Sequence, residues 1–571
     1  MASILFSILT ISLFAQTPEQ LFQAIGTPVD PKVSISWNRY YTAEGLAEIS
    51  KKITEAHPEL VKRVSIGKSY EGRDLWSLTI TDFSAGDPAD KPGFYIDGNI
   101  HSNEIQGSEM ALYTAWYLTE SFAGNKFIKE LLTDKVFYIV PTINPDARNA
   151  YMQGENNANT PRAGMIPIDD DRDGEYDEDG YDDLNGDGHI SIMRRKDPYG
   201  QWIEDPQNPG RMIQVDRDKR GEYEYLGYEG IDNDGDGQVN EDRVGGYYDP
   251  NRNWGWNWQP EYTQRGSHQY PFSIPEDRAV ADFIMAHPNI AGAQSYHNTG
   301  GMILRGPGAE DDQATYPRAD VQVYDAIGEL GAKLIPGYRY MVIFKDLYTT
   351  YGGEIEWFHG GRGIFSFTNE LYTSYMMFNQ RETDADDRTT FSQKLLFEDD
   401  VVPWEAYDHP IYGKVEIGGS KKNYGRANPG FLLESDAHRN MAFTLYHADQ
   451  MPKLVVESIE EKDLGAGYLE ITVTVGNRRL IPTHSAHDLR NKITRPDFIS
   501  LEGPEVVSGL RVLNKDLQQT EEQLFQPEKI AVPNIPGLGT VTVRWIVKNR
   551  KNLNYTISVD SAKGGQLTHA K

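Results

Sequence analysis

Apolar residues recur at helical spacing through "TAEGLAEISKKITEAHPELV" (Thr42 to Val61), which predicts an amphipathic helix ending near Pro58. The continuous apolar run Phe94, Tyr95, Ile96 predicts a buried strand leading into "DGNIHSNEIQG" (Asp97 to Gly107). A second run, "VFYIVPTINPD" (Val136 to Asp146), reads as another buried strand feeding a loop. Between them Met110, Leu112, Tyr113, Trp116 and Tyr117 mark an apolar-rich helix from about 109 to 121. Strand, helix, strand implies an α/β sheet. After Pro452 the period changes: Leu469, Ile471, Val473 and Val475, and later Val541, Val543, Trp545 and Val547, alternate as in a β-sandwich. The pattern therefore predicts an α/β domain over 17–451 and a smaller all-β domain over 452–571.

Composition adds a setting. With 571 residues, 39% of them hydrophobic, the chain can bury a large core and is too long for one ordinary domain. Residues 1–16, "MASILFSILTISLFAQ", are too short an apolar stretch to span a bilayer and end in small residues, as a cleaved secretory signal does. Secretion or periplasmic export is expected, although no Lys or Arg precedes the apolar run, and a short membrane anchor is the alternative. No later stretch suits stable membrane insertion. Without cysteine the chain has neither disulfides nor thiolate metal ligands, which in an exported protein suggests a bacterium. A formal net charge of -29 argues against nucleic acid as a partner.

Much of that charge falls in an insertion at about 165–246. Asp183, Asn185, Asp187 and Gly188 match the alternating oxygen donors of a calcium loop, in which glycine permits the sharp turn. Asp232, Asp234, Asp236 and Gly237, with Asn240 beyond, repeat the pattern, as do Asp169, Asp171, Asp173 and Gly174, followed by Asp177. None carries a glutamate at the twelfth loop position, where Gly180, Arg194 and Arg243 stand, so complete EF-hands are excluded. Looser structural Ca2+ loops are expected; the competing reading is a solvated, disordered acidic insertion.

His101 and Glu104 stand three apart and can project from one turn toward a common point, but an isolated HxxE is a weak zinc signal. His297 in "AGAQSYHNTGG" offers a third ligand, and taken singly reads as a satisfied core histidine. The order of further motifs decides between these readings: "SYEGR" (Ser69 to Arg73), "NPD" (Asn144 to Asp146), "NRNW" (Asn251 to Trp254), "PFSIPE" (Pro271 to Glu276), "LYTTYGGEIEW" (Leu347 to Trp357) and "FSFTNEL" (Phe365 to Leu371). Together they resemble the zinc carboxypeptidase family of the carboxypeptidase A and B type, over about Trp37 to Met451.

The resemblance implies a mixed twisted sheet flanked by helices, one catalytic Zn2+, and peptide or protein C-termini as substrate. It implies that His101, Glu104 and His297 hold the zinc and that Glu370 activates the water. It further implies that Asn251 and Arg252 grip the substrate's terminal carboxylate, that Tyr348 closes over it, that Arg73 lines the peptide subsites, and that Ile355 floors the side-chain pocket. An apolar floor favours neutral apolar or aromatic C-terminal residues. With "GGEIEW" taken as extended, Glu354 and Glu356 point elsewhere.

Elementary chemistry agrees with that assignment. Three protein ligands leave a fourth zinc position open, and zinc lowers the pKa of a bound water to around 7, where a carboxylate can take its proton. The oxyanion that follows needs a fixed positive charge, and the arginine fork suits a carboxylate. The oxyanion arginine is assigned to Arg162 in "NTPRAG" rather than to Arg194 or Arg195. Ala147 and Asn298 depart from the usual pattern after "NPD" and after the third ligand. The short span ahead of "WNRYYTAEGL" leaves no room for an inhibitory pro-segment. Other readings are a zinc amidase acting on cell-wall peptides, a calcium-stabilised binding protein without catalysis, and an adhesin built on the C-terminal sandwich.

Overall fold

The computed structural model describes residues 24–28, 30–548 and 553–571; the expected secretory leader lies outside them. Among the described residues no helix is long and apolar enough to cross a membrane.

Eight strands form the main sheet, in the order Val61–Lys68, Asp74–Ile80, Val136–Val140, Gly93–Gly98, Ile290–Asn298, Phe365–Leu371, Met302–Arg305, Arg339–Val342. The four central strands run parallel and the flanking pairings include antiparallel ones, so the sheet is mixed. The predicted helices appear at Ala43–Ala56 and Gln106–Ser121, the first capped by Thr42, whose hydroxyl accepts from Gly45 N. Every residue of Gly93–Gly98, Val136–Val140 and Ile290–Asn298 is buried, as parallel strands covered on both faces require. Gln106–Ser121 is buried on nearly its whole circumference, which explains its weak amphipathicity.

The acidic insertion is folded. Its strands Ile192–Lys196, Tyr223–Tyr228, Trp202–Glu204 and Met212–Gln214 join the hairpin Val401–His409 and Gly413–Ser420 in a six-stranded sheet. Met193, Val415 and Ile417 give it a small core, so the disordered reading is corrected. Arg194 ion-pairs with Glu416 at 2.7 Å and stacks on Trp404, and Arg195 pairs with Glu224 at 3.0 Å, both within this sheet.

The C-terminal strands form a five-stranded sheet (Leu454–Gly465, Tyr468–Asn477, Thr540–Lys548, Val506–Asn514, Gln519–Glu522) and a four-stranded one (Lys529–Val532, Asp497–Glu502, Thr556–Ser561, Gly565–Ala570). Both are antiparallel and share a core that includes the predicted Ile471, Val473, Val475, Val543, Trp545 and Val547. This sandwich grips the α/β part through polar contacts. Asp320 accepts from Ala486 N and His487 N at 2.7 and 3.0 Å. Lys563 Nζ, almost wholly buried, donates to the carbonyls of Arg362 and Gly363 at 2.6 and 3.0 Å and pairs with Asp488 at 3.2 Å.

Candidate metal centre

His101 and Glu104 lie in the loop after Gly93–Gly98, and His297 near the end of the adjacent strand Ile290–Asn298. Glu104 Oε1 is 3.0 Å from His101 Nδ1 and Oε2 is 3.0 Å from His297 Nδ1; all three side chains are buried. Asn298 N donates to the same Oε2 at 3.1 Å. Burial raises the Glu104 carboxyl, but His101 and His297 outweigh it and hold the group well below the ordinary range. Zinc distances of about 2.0–2.2 Å place tetrahedral donors a little over about 3 Å apart, so two imidazole nitrogens and a carboxylate at this spacing fit the ion. The other ring nitrogen of His101, Nε2, faces Asp249 Oδ1 at 2.9 Å, the carboxylate support that fixes a ligating imidazole.

Asp249 was not singled out in the sequence. It stands just before the "NRNW" motif, and that position was its only signal. Its carboxylate also takes Arg162 Nη1 at 2.8 Å and Asn251 N at 2.8 Å. Burial raises its pKa, whereas Arg252, Arg162 and His101 hold it well below the carboxylate range. Arg162 Nη2 reaches His101 Nδ1 at 3.2 Å and Glu104 Oε1 at 3.9 Å. Of the three arginines weighed, Arg162 alone stands at the metal centre.

Glu370 lies directly across from His297 in the parallel pairing of Phe365–Leu371 with Ile290–Asn298. Burial first, and the Glu104 charge second, push its carboxyl up to about 7. Asn251 Oδ1 accepts from Glu354 N at 2.9 Å, which commits the oxygen end of the amide and leaves its other end to present donors. Arg252 Nη2 is 3.5 Å from the hydroxyl of Tyr348, a residue that is 57% exposed.

The remaining motifs fasten this arrangement. Asn144 caps the helix Pro145–Gln153 and donates to the carbonyls of Ile100, beside His101, and of Ala163, beside Arg162. Asp146 accepts from Ser69 Oγ, Glu71 N and Arg73 Nη1, each at 2.8 Å, so "NPD" clasps "SYEGR". Arg73 also meets Glu71 and Glu44, and three carboxylates therefore engage the residue expected to line peptide subsites.

One expectation is corrected. "EIEWFHGGR" is the helix Glu354–Arg362, not an extended segment. Glu354 and Glu356 favour its positive end, and Gly363 closes it at φ 64, a conformation that suits glycine. Ile355 is 4% exposed in the apolar cluster with Trp254 and Phe358. Ser295 Oγ lies 2.8 Å from Glu354, while Glu356 is buried and raised to about 7 by burial, its Oε1 unpaired.

The calcium-loop residues divide. Asp169, Asp171, Asp173, Asp234 and Asp236 come together, joined by Glu178, Glu241 and Asp242, which were not predicted. Asp183, Asn185 and Asp187 form a separate exposed turn, with Asp183 accepting from Gly186 N, Asp187 N and Gly188 N. Asp177 stands in none of these carboxylate groups among the described residues, and Asn240 Nδ2 donates to Tyr228 O at 3.1 Å; Oδ1 of each is buried without a hydrogen-bond partner.

A family model described as zinc carboxypeptidase matches residues 46–179 and 227–391. A family described as a domain of unknown function matches 453–570. The chain is 38% identical over 103 residues to a zinc carboxypeptidase of Saccharothrix mutabilis subsp. capreolus, covering 18% of this chain and 23% of that protein. It is 30% identical over 132 residues to the carboxypeptidase N catalytic chain of Rattus norvegicus, covering 21% and 29%. The matched segments thus span less than a third of either relative. Solved structures similar to it include thrombin activatable fibrinolysis inhibitor (TM-score 0.42, 16% identity, 74% of this chain and 77% of that one) and carboxypeptidase A of Helicoverpa armigera (TM-score 0.39, 19%, 73% and 76%).

Proposed function

Because this chain belongs to the zinc carboxypeptidase family, we propose that it is a metallocarboxypeptidase that hydrolyses the C-terminal peptide bond of peptides. One observation carries the reading: the His101, Glu104, His297 triad, the Glu370 carboxyl and the Arg252–Tyr348 pair share one site. His101, Glu104 and His297 would hold a zinc ion, which would supply Lewis acidity toward the scissile carbonyl and lower the pKa of water.

The chain's own residues do the rest. Glu370, raised to about 7, accepts a proton from water near neutral pH and returns it to the leaving amine. Arg162 stays charged, and with its side chain 36% exposed can donate to a developing oxyanion. Arg252 and the donor end of Asn251 bind the terminal carboxylate, and Tyr348 shields it from water. Asp249 holds His101, Arg162 and the backbone of Asn251 at once, so one buried carboxylate positions metal ligand, oxyanion donor and carboxylate clamp.

The test is hydrolysis of N-blocked dipeptides with free and amidated C-termini, with and without a zinc chelator. Zinc-dependent cleavage of the free acid alone is expected. Equal cleavage of the amide would overturn the carboxypeptidase reading, and activity that survives complete zinc removal would overturn the metal assignment.

A further inference from the structure

The two acidic loops far apart in the chain meet at a joint. Asp171 belongs to three overlapping groups: with Asp234, Asp236 and Glu241; with Asp173, Glu178 and Asp234; and with Asp169 and Asp242. In each, one donor atom per residue lies within 4.8 Å of the others. Asp242 is fully buried, yet neither of its carboxylate oxygens has a hydrogen-bond partner. Both oxygens of Glu178 and Glu241, and Oδ1 of Asp169, are buried and unpaired as well. Buried carboxylates without partners are costly, and so many at this spacing repel one another.

The backbone around these oxygens is nevertheless well fastened. Asp179 accepts from Asn233 N at 3.1 Å and Asn240 N at 2.7 Å, and its own N–H donates to Asp242 O at 2.9 Å. Asp182 accepts from Ile231 N at 3.1 Å. The loops are thus held together around unsatisfied oxygens. A donor set made only of carboxylate oxygens selects a hard cation, and many ligands on two irregular loops suit the flexible six- to eight-fold shell of calcium better than the strict octahedron of magnesium.

We propose that the joint between residues 169–178 and 232–242 is a calcium site holding more than one ion, with Asp171 as the shared ligand.

The joint also closes one end of a pair of arms. Along them Tyr247 N donates to both oxygens of Asp170 at 3.0 Å, and Ile166 N donates to Tyr248 Oη at 3.1 Å. The arms approach so closely that a Cβ on Gly246 would lie 2.8 Å from Asp170 Oδ2 and 2.9 Å from Ile168 Cβ. At the other end stand Arg162 and Asp249, joined at 2.8 Å. Calcium at the joint fixes the separation of the arms that deliver these two residues to the metal centre.

The test uses the full zinc-loaded chain, depleted of calcium and then supplied with calcium or magnesium. Bound calcium per chain is measured by elemental analysis, and melting is followed alongside. Wild type should bind more than one calcium and melt higher with calcium than with magnesium. Asp171→Asn should lose most of that calcium, whereas Asp187→Asn, in the separate turn, should retain it. Asp242→Asn gives a check that does not depend on activity: removing one repelling charge should raise the melting temperature without calcium and lower it with calcium. Calcium binding by Asp171→Asn equal to wild type, stabilisation by magnesium as large as by calcium, or a shift of Asp242→Asn in the same direction under both conditions would each overturn the site.

Discussion

The metal centre and the acidic joint both gather carboxylates, but the centre is buried while the joint runs from buried Asp242 out to exposed Asp173, Asp234 and Asp236, and they are built differently. At the centre Glu104 and Asp249 have partners: Glu104 faces two imidazoles, and Asp249 faces Arg162 and His101 while Arg252 lies 3.9 Å away. At the joint the oxygens of Glu178, Glu241 and Asp242 have none. The difference separates two ways of using an ion. A centre already balanced by protein charges keeps its shape and can spend the ion on chemistry; an unbalanced cluster needs the ion to hold its shape.

The largest effect expected lies at the centre. Glu370→Gln should keep zinc yet lose turnover by on the order of a hundredfold or more, because the amide keeps the shape and removes the proton acceptor. Full activity with zinc retained would show that another group takes the proton. His101→Ala or His297→Ala should lose the metal itself, as elemental analysis would reveal. Asp249→Asn should weaken zinc by about 10–100-fold in a chelator competition, since it removes the carboxylate that orients His101. Unchanged zinc affinity would reduce Asp249 to positioning Arg162.

The joint should respond to pH instead. Burial first, and the neighbouring Asp179 and Glu178 carboxylates second, push Glu241 up to about 8 and Asp242 up to about 7, above the values of the unfolded chain. The folded state therefore binds more protons, and calcium-free stability should fall as pH rises from about 5 through 8. Saturating calcium should flatten that fall; a melting temperature rising with pH in the calcium-free protein would contradict the arrangement. The smallest effect belongs to Asp187→Ala, whose exposed turn should change stability by no more than about 0.5 kcal/mol.

These contrasts follow what a linear sequence can display. The sheet was readable from its apolar runs, whereas His101, Glu104 and His297 were weak signals singly and became readable as a triad only through the resemblance that the ordered motifs carry. Asp249 was missed because a single aspartate has no period; its part depends on a histidine 148 positions away. The acidic loops were legible only in part, for one reason. The alternating Asp pattern reports local turn geometry, which the Asp183 turn shares, whereas Glu178, Glu241 and Asp242 enter only through contact between loops. The helix Glu354–Arg362 had its signals, acidic residues in the first turn and Gly363 after the last, but the resemblance drew attention to Ile355 and its alternation instead.

Lys563 bears on modularity. Its ammonium group tops the C-terminal end of the helix that begins at Glu354, whose first turn abuts Asn251. The change of texture at Pro452 looks like a natural cut, yet a chain ended there would bare two main-chain carbonyls and strip Asp320 of both its donors. The sandwich is therefore no removable appendage. An exchange of this region between relatives would succeed only where the incoming segment brings its own lysine and its own pair of amides to the same places.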